Sequence, residues 1–300
     1  MKDSVFNNSI YIIKLAWQMC PGRVLSYESK IKETQDGLLP EKPVKSIELS
    51  NISFTYSGQI EPTIKAMSIQ INEKEKIALV GHNGAGKTTL IKLLMRLYDP
   101  DSGVIRMNGI NINDFNVKRY REMFGTAFQD YQVFSMTVAE NILMREPKNK
   151  ADYELVKIAL ERSGALEKIM SLQYGMDTVL TKEFDENGAV LSGGELQKIA
   201  VARVFAKEFE VAVFDEPSSA LDPIAEYRLY ESMMESCRDK AVVFISHRLS
   251  TAVLADRIYM LEHGKVIEEG THQQLMQNGG KYAEMFNKQA EKYVQEVDVV

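Results

Sequence analysis

Apolar and polar positions alternate through IELSNISFTY from Ile47, and apolar runs follow at MSIQI and KIALV, a pattern that predicts three strands before residue 81. A helix in TTLIKLLMRLY and two further strands, at VIRMNG and MFGTAFQ, come next. After Gln129 the texture turns helical: Thr137 stands where it can cap VAENILM, and ADYELVKIALERSG and ALEKIMSLQ carry the apolar spacing of short amphipathic helices. From Val211 strands and helices alternate again, with VAVFDE, a helix from Pro223 to about Arg238, AVVFIS, a short helix from Leu249 to Ala255, then RIYML and KVIEEG. Such alternation predicts a mostly parallel sheet with helices on both faces. The stretch 271–296 reads as helical and charged, a solvated face.

The ends have a different texture. Residues 1–25 are apolar or amphipathic and stop at Pro21-Gly22, and residues 26–46, charged and with two prolines, read as a linker. With 45% hydrophobic and 26% charged residues in 300, the chain can bury the core of a sizeable α/β domain with appendages. A net charge of -6 offers no basic excess to neutralise a nucleic-acid backbone, so no nucleic-acid partner is expected. Cys20 and Cys237 are far apart and lack metal-ligand spacing, which predicts free thiols in a reducing compartment. No apolar run approaches the ~20 residues of a membrane span; IYIIKLAWQM is shorter and carries Lys14.

The chemistry concentrates in GHNGAGKTT, Gly81 to Thr89, which fits the phosphate-loop pattern GxxxxGK[ST] and follows the strand KIALV. Side chains at Gly81, Gly84 and Gly86 would hold the backbone away from phosphate oxygens, whereas bare N–H groups from Asn83 through Thr89, Ala85 included, can converge on them. Lys87 adds a positive charge, the following helix presents its N-terminus, and the Thr88 hydroxyl is placed to ligate Mg²⁺. VAVFDE ends in two carboxylates where a parallel strand opens into a site: Asp215 can hold Mg²⁺ through water, and Glu216 can polarise an attacking water.

LSGGELQKIAVAR, residues 191–203, resembles the signature sequence of the ATP-binding cassette (ABC) ATPases. Ser192, Gly193 and Gly194 precede a helix expected near Glu195, a second anion-binding terminus. The resemblance implies an α/β P-loop NTPase with a mostly parallel sheet, an N-terminal antiparallel β subdomain and an inserted α-helical subdomain. It also implies a head-to-tail dimer in which Ser192, Gly193, Gly194 and Glu195 reach the partner's ATP. Further motifs follow in family order: Tyr56 resembles the residue that stacks on adenine, and Gln129 the glutamine that contacts Mg²⁺ and the attacking water. Asp222, ending SSALD, resembles the loop that crosses the dimer, and His247 the switch histidine at the γ-phosphate. No catalytic position departs from the family pattern.

FQDYQVFSMTVAENI and EFDENG resemble the exporter branch, where Gln129 and Glu186 lie close to helices descending from a membrane domain. The resemblance implies ATP hydrolysis with Mg²⁺, a second ABC ATPase domain as homo- or heterodimer partner, and a transmembrane domain as export partner. A place on the cytoplasmic face of the membrane follows. The expected organisation is a segment at 1–25, a linker at 26–46, an ATPase domain at 47–285 with its helical subdomain at about 130–205, and a tail at 286–300. YIIKLAWQMCPGRVL resembles an exporter's elbow helix, which places a lost set of spans near Leu25; an interfacial helix anchored by Ile12, Leu15 and Trp17 is the alternative. Two other functions stay open: a regulatory or docking module that binds ATP without transport, and a soluble non-transport ABC ATPase. Against the latter, the chain carries no coiled-coil insertion, tandem cassette or basic patch.

Overall fold

The computed structural model of the chain describes residue 31 and residues 37–183, 186–218 and 221–297. The elbow or interfacial segment, Cys20 and most of the linker ahead of residue 37 lie outside the described residues.

Four strands form an antiparallel sheet in the order β2 (Ile64–Asn72), β1 (Ser46–Phe54), β4 (Ser102–Met107) and β5 (Ile110–Asn111). The alternation in β1 buries Ile47, Leu49, Ile52 and Phe54. The step of three from Leu49 to Ile52 is absorbed by a register shift at Asn51, whose φ is 49°. The larger sheet has six strands in the order β10 (Lys265–Gly270), β9 (Arg257–Glu262), β3 (Lys76–Val80), β8 (Ala241–Ile245), β7 (Val211–Asp215) and β6 (Phe124–Ala127). All neighbours in it are parallel except β10, which closes one edge against β9 as a hairpin.

Every residue of β7 and β8 is buried, as expected of central parallel strands covered on both faces. In β7, Val211 and Val213 enter the core shared with the antiparallel sheet and helix α1 (Lys87–Leu94). Ala212 and Phe214 enter the other core, with α3 (Val138–Leu143), α4 (Lys150–Arg162), α5 (Leu166–Met170) and α6 (Gly193–Phe205). Helix α2 (Val117–Glu122) leads into β6. Thr137 caps α3 through a complete capping box with Glu140, as the sequence predicts. Helices α7 (Pro223–Ser236) and α8 (Leu249–Ala252) flank β8.

Some boundaries differ from expectation for local reasons. Helix α1 stops at Leu94 rather than running through MRLY, because Arg96 turns left-handed with φ 52° and sends its buried guanidinium to the carbonyls of Ile112 and Phe115. Helix α6 starts at Gly193, ahead of Glu195, because Ser192 caps it.

The C-terminal stretch is helical as expected, but it forms two helices, and one side of them is packed rather than solvated. Gly279, at φ 63°, ends α9 (His272–Asn278), and α10 (Lys281–Val297) packs back on the core. Leu275 and Tyr282 are buried, with the Tyr282 hydroxyl 2.9 Å from His272 Nδ1. Helix α10 runs through residue 285, so the expected domain edge falls inside it. Tyr282→Ala should therefore lower stability by about 3–5 kcal/mol, read from denaturant midpoints, whereas a side chain on a solvated face would change it by no more than about 0.5 kcal/mol.

Candidate active site

Three parallel strands end side by side. β3 runs into the loop 81–86, β7 into Asp215 and Glu216, and β8 into Ser246 and His247, so the residues singled out from three distant stretches meet at the C-terminal edge of one sheet.

The loop after β3 closes on its own lysine. Lys87 is buried, and its Nζ donates to the carbonyls of Gly81 at 2.7 Å and His82 at 3.1 Å. Burial lowers its pKa, and the nearby carboxylates of Glu216 and Asp215 oppose that shift. Gly81 is required for a reason the sequence did not suggest: at φ 139°, an added Cβ would lie 2.1 Å from the Leu261 carbonyl of β9. Gly84, at φ 80°, faces open space, where an anion can approach the loop's N–H groups. Gly86 ends the loop left-handed, and α1 begins at Lys87. Ala85 is buried at the loop's base, and Asn83 is exposed on its rim.

Beside the lysine, the Thr88 hydroxyl donates to Asp215 Oδ1 at 3.3 Å. Burial raises the Asp215 pKa, the Thr88 hydrogen bond partly offsets that, and the Glu216 charge adds to it. These are hard oxygen donors suited to a small divalent cation. Among the described residues no cluster of three His, Cys, Asp or Glu side chains could hold a metal alone. A Mg²⁺ held by two protein oxygens plus phosphate oxygens and water matches that ion's preference. Gln129 stands exposed two residues past Ala127, which pairs with Phe214 of β7, so it borders the same edge.

Glu216 has φ 52°, left-handed for a residue that is not glycine, and precedes Pro217. Its N–H donates to the Ile245 carbonyl at 3.3 Å, and its Oε1 lies 2.5 Å from His247 Nε2. The carboxylate is nearly buried while the imidazole is half exposed, so the pair opens toward solvent on the histidine side. Beneath it, Glu226 of α7 is buried. It accepts from Ser218 Oγ at 2.9 Å and pairs with Arg248 at 2.8 Å. Burial raises the Glu226 pKa against those two partners.

The sequence motifs gave no role to Glu226 or Arg248, although Arg248 is next to His247 and Glu226 stands in the first turn of α7, four residues after the Asp222 cap; Ser218 opens the SSALD stretch but was given no role of its own.

The remaining residues have local partners. The Tyr56 hydroxyl lies 3.1 Å from Thr89 Oγ1, and its ring meets Phe54 and Tyr98 edge-on. The aromatic wall thus stands over the first turn of α1. Ser192 and Glu195 satisfy each other in a capping box, and Glu195 also pairs with Lys168 at 3.2 Å. Burial pushes the Glu195 carboxyl up, but those hydrogen bonds and Lys168 outweigh it, leaving the pKa below its ordinary value. Gly193 and Gly194 form the exposed first turn of α6, which packs on β6, α3 and α4. No hydrogen bond or ion pair joins Ser192–Glu195 to the phosphate loop among the described residues. Tyr131 instead donates to the Gly193 carbonyl at 3.0 Å. Asp222 caps α7, accepting from Ile224 and Ala225, and the Ala225 N–H is the main cause of its lowered pKa. Glu186 is exposed, Cys237 is a buried free thiol, and no helix of the described residues is long and apolar enough to cross a membrane.

The subtilin transport ATP-binding protein SpaT of Bacillus subtilis is 37% identical over 287 residues, covering 94% of this chain and 45% of that protein. The ATP-dependent lipid A-core flippase of Vibrio vulnificus is 36% identical over 245 residues, covering 82% of this chain and 41% of the flippase. A bacterial Atm1-family ABC exporter, solved with ATP bound, superposes with a TM-score of 0.80 at 30% identity, over 93% of this chain and 47% of that one. The chain thus spans less than half the length of each of these relatives. The family profile described as ABC transporter matches residues 64–219, from β2 through the Asp215–Glu216 turn, and the chain belongs to that family.

Proposed function

We propose that this chain hydrolyses Mg-ATP, dimerises around it with a second ABC ATPase domain, and powers export of a substrate through a transmembrane partner at the cytoplasmic face of a membrane. The observation that carries the reading is the meeting of Lys87, Thr88, Asp215, Glu216 and His247 at one sheet edge, with Glu216 Oε1 2.5 Å from His247 Nε2.

Lys87 releases its loop carbonyls to hold phosphate oxygens together with the N–H groups of Gly81 to Thr89. Tyr56 faces the adenine. Thr88, Asp215 and Gln129 hold the metal, which supplies charge neutralisation on the phosphate oxygens. Glu216 orients the attacking water and takes its proton, while His247 holds the γ-phosphate end. Ser192, Gly193, Gly194 and Glu195 serve the partner's ATP from the exposed turn of α6, and Asp222 lies on the loop that meets the partner.

The cassette begins at about residue 47, and its helical part, about 130–205, faces the membrane domain with Gln129 and Glu186. The functions for which the relatives are named, transport of subtilin and flipping of lipid A-core, support export as the use of the ATP.

Glu216→Gln should lower ATP turnover by about 10²- to 10⁴-fold while ATP-dependent dimers accumulate in gel filtration; turnover at the unaltered rate would show that Glu216 is not the base. Lys87→Ala should weaken ATP binding by roughly ten- to a hundredfold, the loss of one charge-assisted contact of about 1.5–3 kcal/mol, measured by titration with a fluorescent ATP analogue. Turnover per molecule should rise steeply with protein concentration, and a flat dependence would count against a dimeric site.

A further inference from the structure

Helix α8 begins without a side-chain cap from its own segment: Arg248 occupies the N-cap position and makes no such bond. Its first N–H groups therefore need a partner from elsewhere. Gln289 of α10 supplies one. The Gln289 Oε1 accepts from the Leu249 N–H at 2.9 Å, and its Nε2 donates to the His247 carbonyl at 2.8 Å. One planar amide thus grips the chain on both sides of Arg248. Only a side chain carrying a donor and an acceptor on the same plane can satisfy a carbonyl and an N–H two residues apart in this way.

The grip has a fixed base. Gln289 stands seven residues, two helical turns, after Tyr282 and so on the same face of α10, and Tyr282 is fully buried. The helix cannot slide or rotate without exposing that ring. What the amide holds is the backbone of His247, whose imidazole reaches Glu216.

We propose that Gln289 is a positioning residue for hydrolysis: through the backbone of residues 247–249 it aims the His247 imidazole at Glu216 and at the γ-phosphate end of the site. The proposal rests on the hydrolytic reading above and adds to the site a C-terminal helix that lies outside the stretch matched by the family profile.

Gln289→Met, made in the full chain, keeps the side-chain length and removes both hydrogen bonds. The expected result is a kcat for ATP lowered about tenfold with KM within about twofold of the unaltered value, because ground-state binding by Lys87 and the loop is untouched. Amide hydrogen exchange in the peptide spanning 246–252 should speed up about tenfold or more, while β8 keeps its protection. Glu291→Ala, an exposed position on the same helix, should match the unaltered chain in both measurements. Unchanged exchange at 246–252 in Gln289→Met would overturn the clamp, and faster exchange with unchanged kcat would overturn its part in hydrolysis. Failure of the hydrolytic reading looks different: the unaltered chain would not turn ATP over, which removes the positioning role, while the exchange difference at 246–252 would still register the clamp.

Discussion

Lys87 carries a full charge into a position almost closed to water, and the local structure around it can be understood as the answer to that one cost. An unpaired buried ammonium is worth several kcal/mol of destabilisation. Here it is met by two carbonyls of its own loop and by the field of Asp215 and Glu216. The carbonyls of Gly81 and His82 can point inward only if Gly81 takes a φ open to glycine, and the carboxylates are near only if β7 ends beside β3's loop. Burial disfavours the charged forms of both Lys87 and Asp215, and the attraction between their opposite charges offsets part of that cost for each. On the proposed assignment of Lys87 to the phosphates, a triphosphate would take the place of these carbonyl partners.

The same edge of the sheet stores strain. A left-handed φ costs an ordinary residue about 1–2 kcal/mol, and Glu216 carries it next to Pro217, which itself removes an N–H and disfavours the right-handed helical region for the residue before it. The offset comes from the hydrogen bond to Ile245 and the contact with His247. The left-handed backbone thus stands at the residue whose carboxylate meets the histidine. Strain of this kind belongs with function when the surrounding strands are rigid, and β7 and β8 are buried at every position.

What could be read from the sequence divides along a physical line. The phosphate loop, the paired carboxylates after VAVF and the helix cap at Thr137 are legible because each depends on residues a few positions apart. The strand alternation of β1 was legible for the same reason, up to the bulge at Asn51. Gln289 lies forty-two residues from the His247 carbonyl it holds, and Glu226 twenty from Ser246; no local period marks either. The reading of 271–296 as a solvated face missed its packed side because charged positions outnumber the buried Leu275, Tyr282 and Ala283. Gly81 carries a second constraint that the sequence did not show, the Leu261 carbonyl of an adjacent strand, which only the assembled sheet brings close.

The buried Glu226 ties two of the loops at this edge to each other. One carboxylate accepts from Ser218 at the start of the loop that ends in Asp222, and pairs with Arg248 just after His247. Arg248 in turn donates to the Leu221 carbonyl at 3.3 Å. Moving either loop alone would leave a buried carboxylate or its donor unpaired, at about 1–3 kcal/mol for a neutral group and more for a charged one. That cost is comparable to typical coupling energies between sites, about 1–3 kcal/mol. On the proposed assignment of Asp222 to the dimer surface and of His247 to the γ-phosphate, a displacement of one loop is therefore cheaper when the other moves with it.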